Sequence, residues 1–264
     1  VQLTLPSFSS FKSSSELKLP IKVKNHDSCL KYMGVCIENI TVKDSPFWLK
    51  NKLMSIGLKP INNVVDITNF VLHETGNPLH AFDYDQISGK QIIVRNAQNG
   101  EEFQTLDSKL IKLSDADLVI CDTDKPLCLA GVMGGIKSGV SSNTKNLFLE
   151  SAFFNPAAIR KTSKKHGIST DSSYRFERGV DINNCSNALQ RAALLIKELC
   201  GGQIGQNSEF SSTDTTYKKI NFSFAFCDKV LGFQIDRNII KNILASLDFS
   251  ILNSTESHLE ISIP

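Results

Sequence analysis

The order in which helix and strand signals occur constrains this chain most. Signposted helices stand on both sides of a long strand-rich centre. Ser45-Pro46 offers an N-cap and a proline for a first turn, Trp48, Leu49, Leu53 and Ile56 follow, and Gly57 closes a predicted helix. A second is predicted over Asn63 to Glu74, ending at Gly76. A third runs from Asn155-Pro156 to His166 before Gly167, and a fourth from Asp181 to Cys200 before Gly201-Gly202, with Leu189, Ala192, Ile196 and Leu199 on one face. An alternating run between Tyr32 and Val42 precedes them as a strand. In the centre, Ile92-Ile93-Val94, Leu118-Val119-Ile120, Leu127 to Ala130 and Leu147-Phe148-Leu149 are separated by Asn-Gly, Asp-Ser and Gly-Gly punctuation. Such a pattern predicts an α+β fold, a large mixed β-sheet domain with flanking helices.

The ends differ in character. Residues 1–20 carry a serine-rich stretch from Ser7 to Ser15 and read as a linker or edge segment. The polar run from Gln203 to Thr216 reads as a boundary. Beyond it Ile220 to Phe224 alternates, Asp236 caps a helix bearing Ile239, Ile240, Ile243, Leu244 and Leu247, and a last strand covers His258 to Ile263. That strand, helix, strand unit, residues 217–264, is small for a core of its own and is expected to be a truncated α/β module. A first residue of Val1 and a last strand interrupted at Pro264 lead to the expectation of a piece of a longer polypeptide.

Composition excludes some functions. With 29 Lys and Arg against 27 Asp and Glu, the net charge of +2 argues against holding nucleic acid by bulk electrostatics, while leaving room for a local basic patch. Seven cysteines show no C-x-x-C spacing, so reduced buried thiols are expected rather than a zinc ribbon or a disulfide scaffold, and no metal site is expected. No apolar run is long enough for a membrane span, and the expected compartment is the cytoplasm. Gly131 to Ser138 superficially resembles a phosphate loop, but Ile136 stands where a glycine must precede Lys137. Neither G-x-S-x-G nor H-E-x-x-H occurs.

Several polar segments remain. Asn62 to Phe70 continues to Asn77-Pro78-Leu79-His80-Ala81-Phe82-Asp83, where His80 is either a satisfied structural residue or a functional one. The glycines of Leu129 to Gly135 serve close ligand approach or a tight strand connection. Glu150 follows an apolar run, where a carboxylate belongs on a solvent face or in polar recognition. Arg160, Lys161, Lys164 and Lys165 form a basic cluster, a solvated helix face or an RNA phosphate contact. Arg175, Glu177, Arg178 and Asp181 interleave charges around Gly179, for internal ion pairing or a subunit contact.

The ordered strings Asn62 to Phe70, His80 to Asp83, Leu129 to Gly135, Leu149 to Ala152 and Arg175 to Asp181 resemble the central region of the bacterial phenylalanyl-tRNA synthetase β-subunit family. The resemblance implies an editing, tRNA-binding domain over 21–204, and over 217–264 the start of the next domain, a small module with a DNA-binding-like fold. It implies hydrolysis of tyrosine wrongly attached to tRNA(Phe). A pocket shaped for phenylalanine rejects tyrosine only on the order of 100-fold, whereas a second site that hydrogen-bonds the hydroxyl inverts the preference. By this resemblance Glu150 would recognise the tyrosine hydroxyl, with His80, Thr68 and Asn69 near the ester or the attacking water. Gly131 and Gly134 would form the wall, and Thr170 and Ser172 would border the tyrosyl group, Ser172 departing from the alanine common in relatives. Ser108 departs from a common glycine in a structural turn. Implied partners are an α subunit, in a heterotetramer of two α and two β, and tRNA(Phe); ATP and Mg would serve only the whole enzyme, a phenylalanine-tRNA ligase. Competing readings are a noncatalytic scaffold that docks the α subunit and guides tRNA through Arg160 to Lys165, Arg175 and Arg178, and a free-standing hydrolase acting in trans.

Overall fold

The structure is a computed structural model that describes residues 6–212 and 217–263. Residues 1–5 of the segment read as a linker, and 213–216 of the stretch read as a boundary, lie outside the described residues. The chain divides into two compact units, 1–213 and 214–264.

In chain order the first unit contains β1 (Ile21–Val23), β2 (Cys29–Glu38), α1 (Phe47–Ser55), α2 (Asn63–Thr75), β3 (Leu79–Asp83), β4 (Ile92–Asn96), β5 (Glu102–Gln104), β6 (Leu110–Lys112), β7 (Leu118–Cys121), β8 (Pro126–Leu129), β9 (Met133–Gly134), β10 (Leu147–Phe154), α3 (Pro156–His166), α4 (Asp171–Phe176), α5 (Asn184–Cys200) and β11 (Gln203–Ser211). Two main sheets result. One has the order β1-β4-β7-β8-β9 and is mixed, since β1 runs parallel to β4 while the other pairs are antiparallel. The other, β11-β2-β10-β3, is antiparallel, and β5 and β6 form a separate hairpin.

The four-stranded sheet is buried on both faces, which explains the unbroken apolar run at Leu147 to Leu149. Strand alternation sorts its side chains. Met33, Val35, Ile37, Leu79, Ala81, Leu147 and Leu149 join α1, α2 and α5 in one core. Tyr32, Cys36, Phe82, Phe148, Ala152 and Phe154 face the five-stranded sheet in a second core, which Ile159 of α3 and Phe176 of α4 help to close. The layers are therefore helices, four-stranded sheet, five-stranded sheet.

Helix ends follow side-chain chemistry. The carbonyl oxygen of the Asn155 side chain accepts from the amides of Ala157 and Ala158, Pro156 opens α3, and left-handed Gly167 ends it, as predicted. α1 begins one residue later than predicted: Pro46 is its cap residue, because Ser45 Oγ donates to the buried Asp66 carboxylate at 2.5 Å. α5 begins at Asn184 rather than Asp181, because the Asp181 side chain accepts the Asn183 amide in a turn. The run predicted as a boundary contains β11: Gln203–Ser211 pairs with β2, and Gln206 donates its amide to Leu17 O while Ser208 Oγ donates to Leu19 O. Its polar side chains hid a strand whose ladder is set by backbone pairing. Ser108 takes a left-handed φ of 65°, the conformation a glycine adopts without strain.

The second unit contains β12 (Lys219–Ser223), α6 (Phe224–Leu231), α7 (Arg237–Ser246), β13 (Ser250–Ser254) and β14 (His258–Ser262), with sheet order β12-β14-β13. α6 falls where strand alternation was read through Phe224: Ser223 accepts the Phe226 amide and starts a helix there. Phe224, Ile240, Leu259 and Ile261 form its core. All seven cysteines are free thiols, six of them buried.

Candidate active site

Two adjoining depressions open on the first unit. A small recess is lined by Pro78, Leu79, His80, Cys128, Gly131, Val132, Met133, Gly134, Glu150, Ser172 and Phe176. A wider cleft shares Leu79, His80, Val132, Met133, Gly134 and Ser172 with it and adds Asn62, Thr68, Asn69, Leu106 and Thr170. The candidate catalytic and substrate-binding residues therefore gather in one place: Glu150 and Gly131 in the recess, Thr68, Asn69 and Thr170 in the cleft, His80, Gly134 and Ser172 in both.

Sheet register creates the centre. Glu150 on β10 lies opposite Gly34 of β2 on one side and His80 of β3 on the other. It leaves the sheet on the face of Phe148 and Ala152, so it points into the layer between the sheets and is 5% exposed. Tyr32 Oη donates to Glu150 Oε2 at 3.0 Å. Burial disfavours the carboxylate and raises the Glu150 pKa to about 8, although the Tyr32 bond pulls it down. The carboxyl is mostly protonated at neutral pH. Such a group donates one hydrogen bond and keeps acceptor lone pairs for others.

His80 packs edge-on against Phe82, with ring centroids 4.5 Å apart. Burial lowers its pKa to about 4, so the imidazole is neutral at pH 7. Its Nε2 is covered and has no hydrogen-bond partner among the described residues, a costly arrangement that a bound ligand or water would relieve. Gly134 makes room for the ring: a Cβ there would stand 2.6 Å from His80 Cε1. Gly131, with φ of 67°, turns the chain where a Cβ would meet Ile159 and Phe176 at 3.0 Å.

The other polar residues differ in their freedom. Thr68 Oγ1 donates within its helix to Val65 O. Thr170 caps α4, accepting the Ser173 amide and donating to Val132 O at 2.9 Å, which fixes α4 against the glycine turn. Asn69 and Ser172 make no side-chain hydrogen bond among the described residues and are available to a ligand.

The basic candidates lie away from these linings. Arg160, Lys161 and Lys164 are exposed on α3. Lys165 is engaged: its Nζ lies 2.6 Å from the buried Asp117 carboxylate, which His166 Nε2 also meets at 3.1 Å. Arg175 pairs with Asp171, and Arg178 pairs with Glu177 while stacking on Tyr174 at 3.6 Å. Internal pairing thus holds for both arginines, with Asp171 where Asp181 was a candidate.

Sequence reasoning missed Tyr32, Cys128 and the apolar lining of Phe176, Val132 and Met133. The last three lie inside strings already singled out. For Tyr32 the available signal was general: a tyrosine inside an apolar strand needs a partner for its hydroxyl.

The model of the B3/4 domain family matches residues 28–201. The chain is similar to the phenylalanine–tRNA ligase β subunit of Bacteroides thetaiotaomicron, 42% identical over 99% of this chain and 32% of that protein. The β subunit of Porphyromonas gingivalis is 42% identical over 100% of this chain and 32% of its own length, and that of Protochlamydia amoebophila 45% over 90% and 30%. The chain thus spans about a third of the length of these relatives. A solved N-terminal fragment of a phenylalanyl-tRNA synthetase β subunit from Pyrococcus horikoshii covers 95% of this chain and 70% of its own, at 13% identity and a TM-score of 0.49, too distant a likeness to bear on the fold.

Proposed function

The chain belongs to the B3/4 domain family and is homologous over nearly its whole length to bacterial phenylalanine–tRNA ligase β subunits, and from that premise we propose that its first unit hydrolyses tyrosyl-tRNA(Phe). The observation that carries this reading is Glu150, a buried carboxyl in a recess whose walls include the apolar side chains of Leu79, Val132, Met133 and Phe176 and the thiol of Cys128. A tyrosyl ring seated against these walls would bring its hydroxyl to Glu150. A phenylalanyl ring would desolvate the carboxyl and return no hydrogen bond.

The ester end of the substrate would lie in the cleft, beside His80, Asn69 and Thr68. An aminoacyl ester is already activated, so placing it and a water in register supplies much of the needed rate. Neutral His80 serves as an orienting hydrogen-bond partner, because at a pKa of about 4 it is a weak base. Gly131 and Gly134 keep the wall clear.

The whole protein is proposed to pair with an α subunit as a heterotetramer, bind tRNA(Phe) and charge it with phenylalanine in the cytoplasm, with ATP and Mg used at a synthetic site outside this chain. Residues 217–264 would begin the following domain, the module with a DNA-binding-like fold. The described residues contain no helix long and apolar enough to cross a membrane. The test is Glu150→Ala in the full β subunit paired with α. Hydrolysis of tyrosyl-tRNA(Phe) should fall roughly 10- to 100-fold while phenylalanine charging survives. Loss of both would favour the scaffold reading.

A further inference from the structure

Tyr32 stands behind the recess rather than in its lining. It is fully buried, its ring lies 6.5 Å from that of Phe154, and Phe154 meets Phe176 of the recess wall edge-on at 5.1 Å. Directly across β2 from Glu150 there is no side chain, because the position is Gly34, where a Cβ would fall 2.0 Å from the Phe148 ring. Tyr32 is the diagonal neighbour, two residues before Gly34 on the same face, a separation that an aromatic side chain can bridge. Its hydroxyl takes Oε2 at 3.0 Å, and Oε1 has no hydrogen-bond partner among the described residues.

We propose that Tyr32 is the positioning residue that sets the specificity of this site, holding the Glu150 carboxyl by Oε2 so that Oε1 meets the phenolic hydroxyl of the substrate. The proposal rests on the editing reading above. A glutamate has three rotatable side-chain bonds, and without an anchor its carboxyl would sample orientations that do not match a ring seated between fixed walls. A single directional donor from a packed tyrosine removes that freedom. The same bond favours the ionised carboxylate and so opposes the effect of burial on Glu150. Burial and the nearby Glu150 hold the Tyr32 hydroxyl protonated well beyond its ordinary range, which keeps it a donor.

The experiment uses the full β subunit with its α subunit and compares wild type, Tyr32→Phe, Glu150→Ala and the double variant. Hydrolysis of tyrosyl-tRNA(Phe) and of phenylalanyl-tRNA(Phe) is measured from about pH 6 to pH 9, across the Glu150 transition. Tyr32→Phe keeps the ring and removes the donor. It should cut the preference for the tyrosyl ester on the order of 10-fold, move the alkaline inflection of tyrosyl hydrolysis upward from about pH 8, and have no further effect in the Glu150→Ala background. If Tyr32→Phe keeps both preference and inflection while Glu150→Ala loses preference, the positioning role is overturned and the editing reading stands. A loss of equal size in the Glu150→Ala background, unfolding included, would mark Tyr32 as a packing residue and overturn it too. Absence of tyrosyl preference in the wild type removes the editing reading and this proposal together.

Discussion

Glu150 and His80 are register partners on β10 and β3, a carboxyl and an imidazole side by side on one buried face, and both are neutral at pH 7. An ion pair between them would have to offset the desolvation of two charges, and the shifts run the other way: the acid is raised to about 8 and the base lowered to about 4.

This arrangement fixes a pH dependence of stability. Glu150 rises from 4.5 to about 8 on folding, so its contribution is full below about pH 4.5 and is lost as pH climbs to about 8. His80 falls from 6.5 to about 4, so its contribution is full above about pH 6.5 and is lost as pH drops to about 4. The two slopes oppose each other between about 4.5 and 6.5, and Glu150 alone acts above that. Urea melts at pH 6.5 and pH 8 should show wild type losing about 2 kcal/mol more than Glu150→Gln. Equal losses would mean that Glu150 is not held protonated.

Gly34→Ala and Gly134→Ala should separate fold from site. At Gly34 the new methyl meets the fully buried Phe148 ring, and a drop of about 1 to 3 kcal/mol or more is expected in thermal melts. At Gly134 it meets His80 and the half-exposed Leu106, which can move, so the melt should change less while tyrosyl-ester hydrolysis falls on the order of 10-fold or more. Unchanged hydrolysis in Gly134→Ala would remove the need for His80 in its present place.

Asp117 anchors α3. Burial opposes its charge, but the bonds from Lys165, the Ser114 amide and His166 win and hold its pKa below the usual value. Its contribution is present above the ordinary carboxylate pKa and disappears as pH falls through the lowered one. Asp117→Ala should cost about 2 to 3 kcal/mol near neutral pH, below the range for a fully buried pair because Lys165 is partly exposed. A cost under about 0.5 kcal/mol would show that solvent already screens the pair.

Among the described residues Arg160, Lys161 and Lys164 are the cations of α3 without an ion-pair partner, whereas Lys165 is paired. If α3 meets tRNA phosphates, each of the first three changed to Ala should flatten the dependence of log binding constant on log salt by roughly 0.7 to 0.9, measured with the full enzyme. Lys165→Ala should lower the melting temperature instead. An unaltered slope in the triple variant would leave that helix face merely solvated.

The fold class and α3 were legible because capping, proline and glycine signals are local. β11 was not, since its strand character comes from the edge of β2 rather than from an apolar run. α6 was hidden because Phe222 and Phe224 fit strand alternation as well as a helix start. Thr170 was read as a pocket residue and does line the cleft, but its hydroxyl is occupied by the α4 cap and Val132 O.

Sequence alone marked the candidates: Glu150 as a carboxylate that belongs on a solvent face or in polar recognition after an apolar run, the glycines of 129–135 as places without side chains, and, through a resemblance, the roles to expect. Tertiary structure decided what those residues are chemically. Strand register put Glu150 across from His80, set both between two sheets, and brought Tyr32 to the carboxyl from 118 positions away. Protonation and orientation depend on the dielectric and the donors around a group, and those are assembled only when distant strands pair.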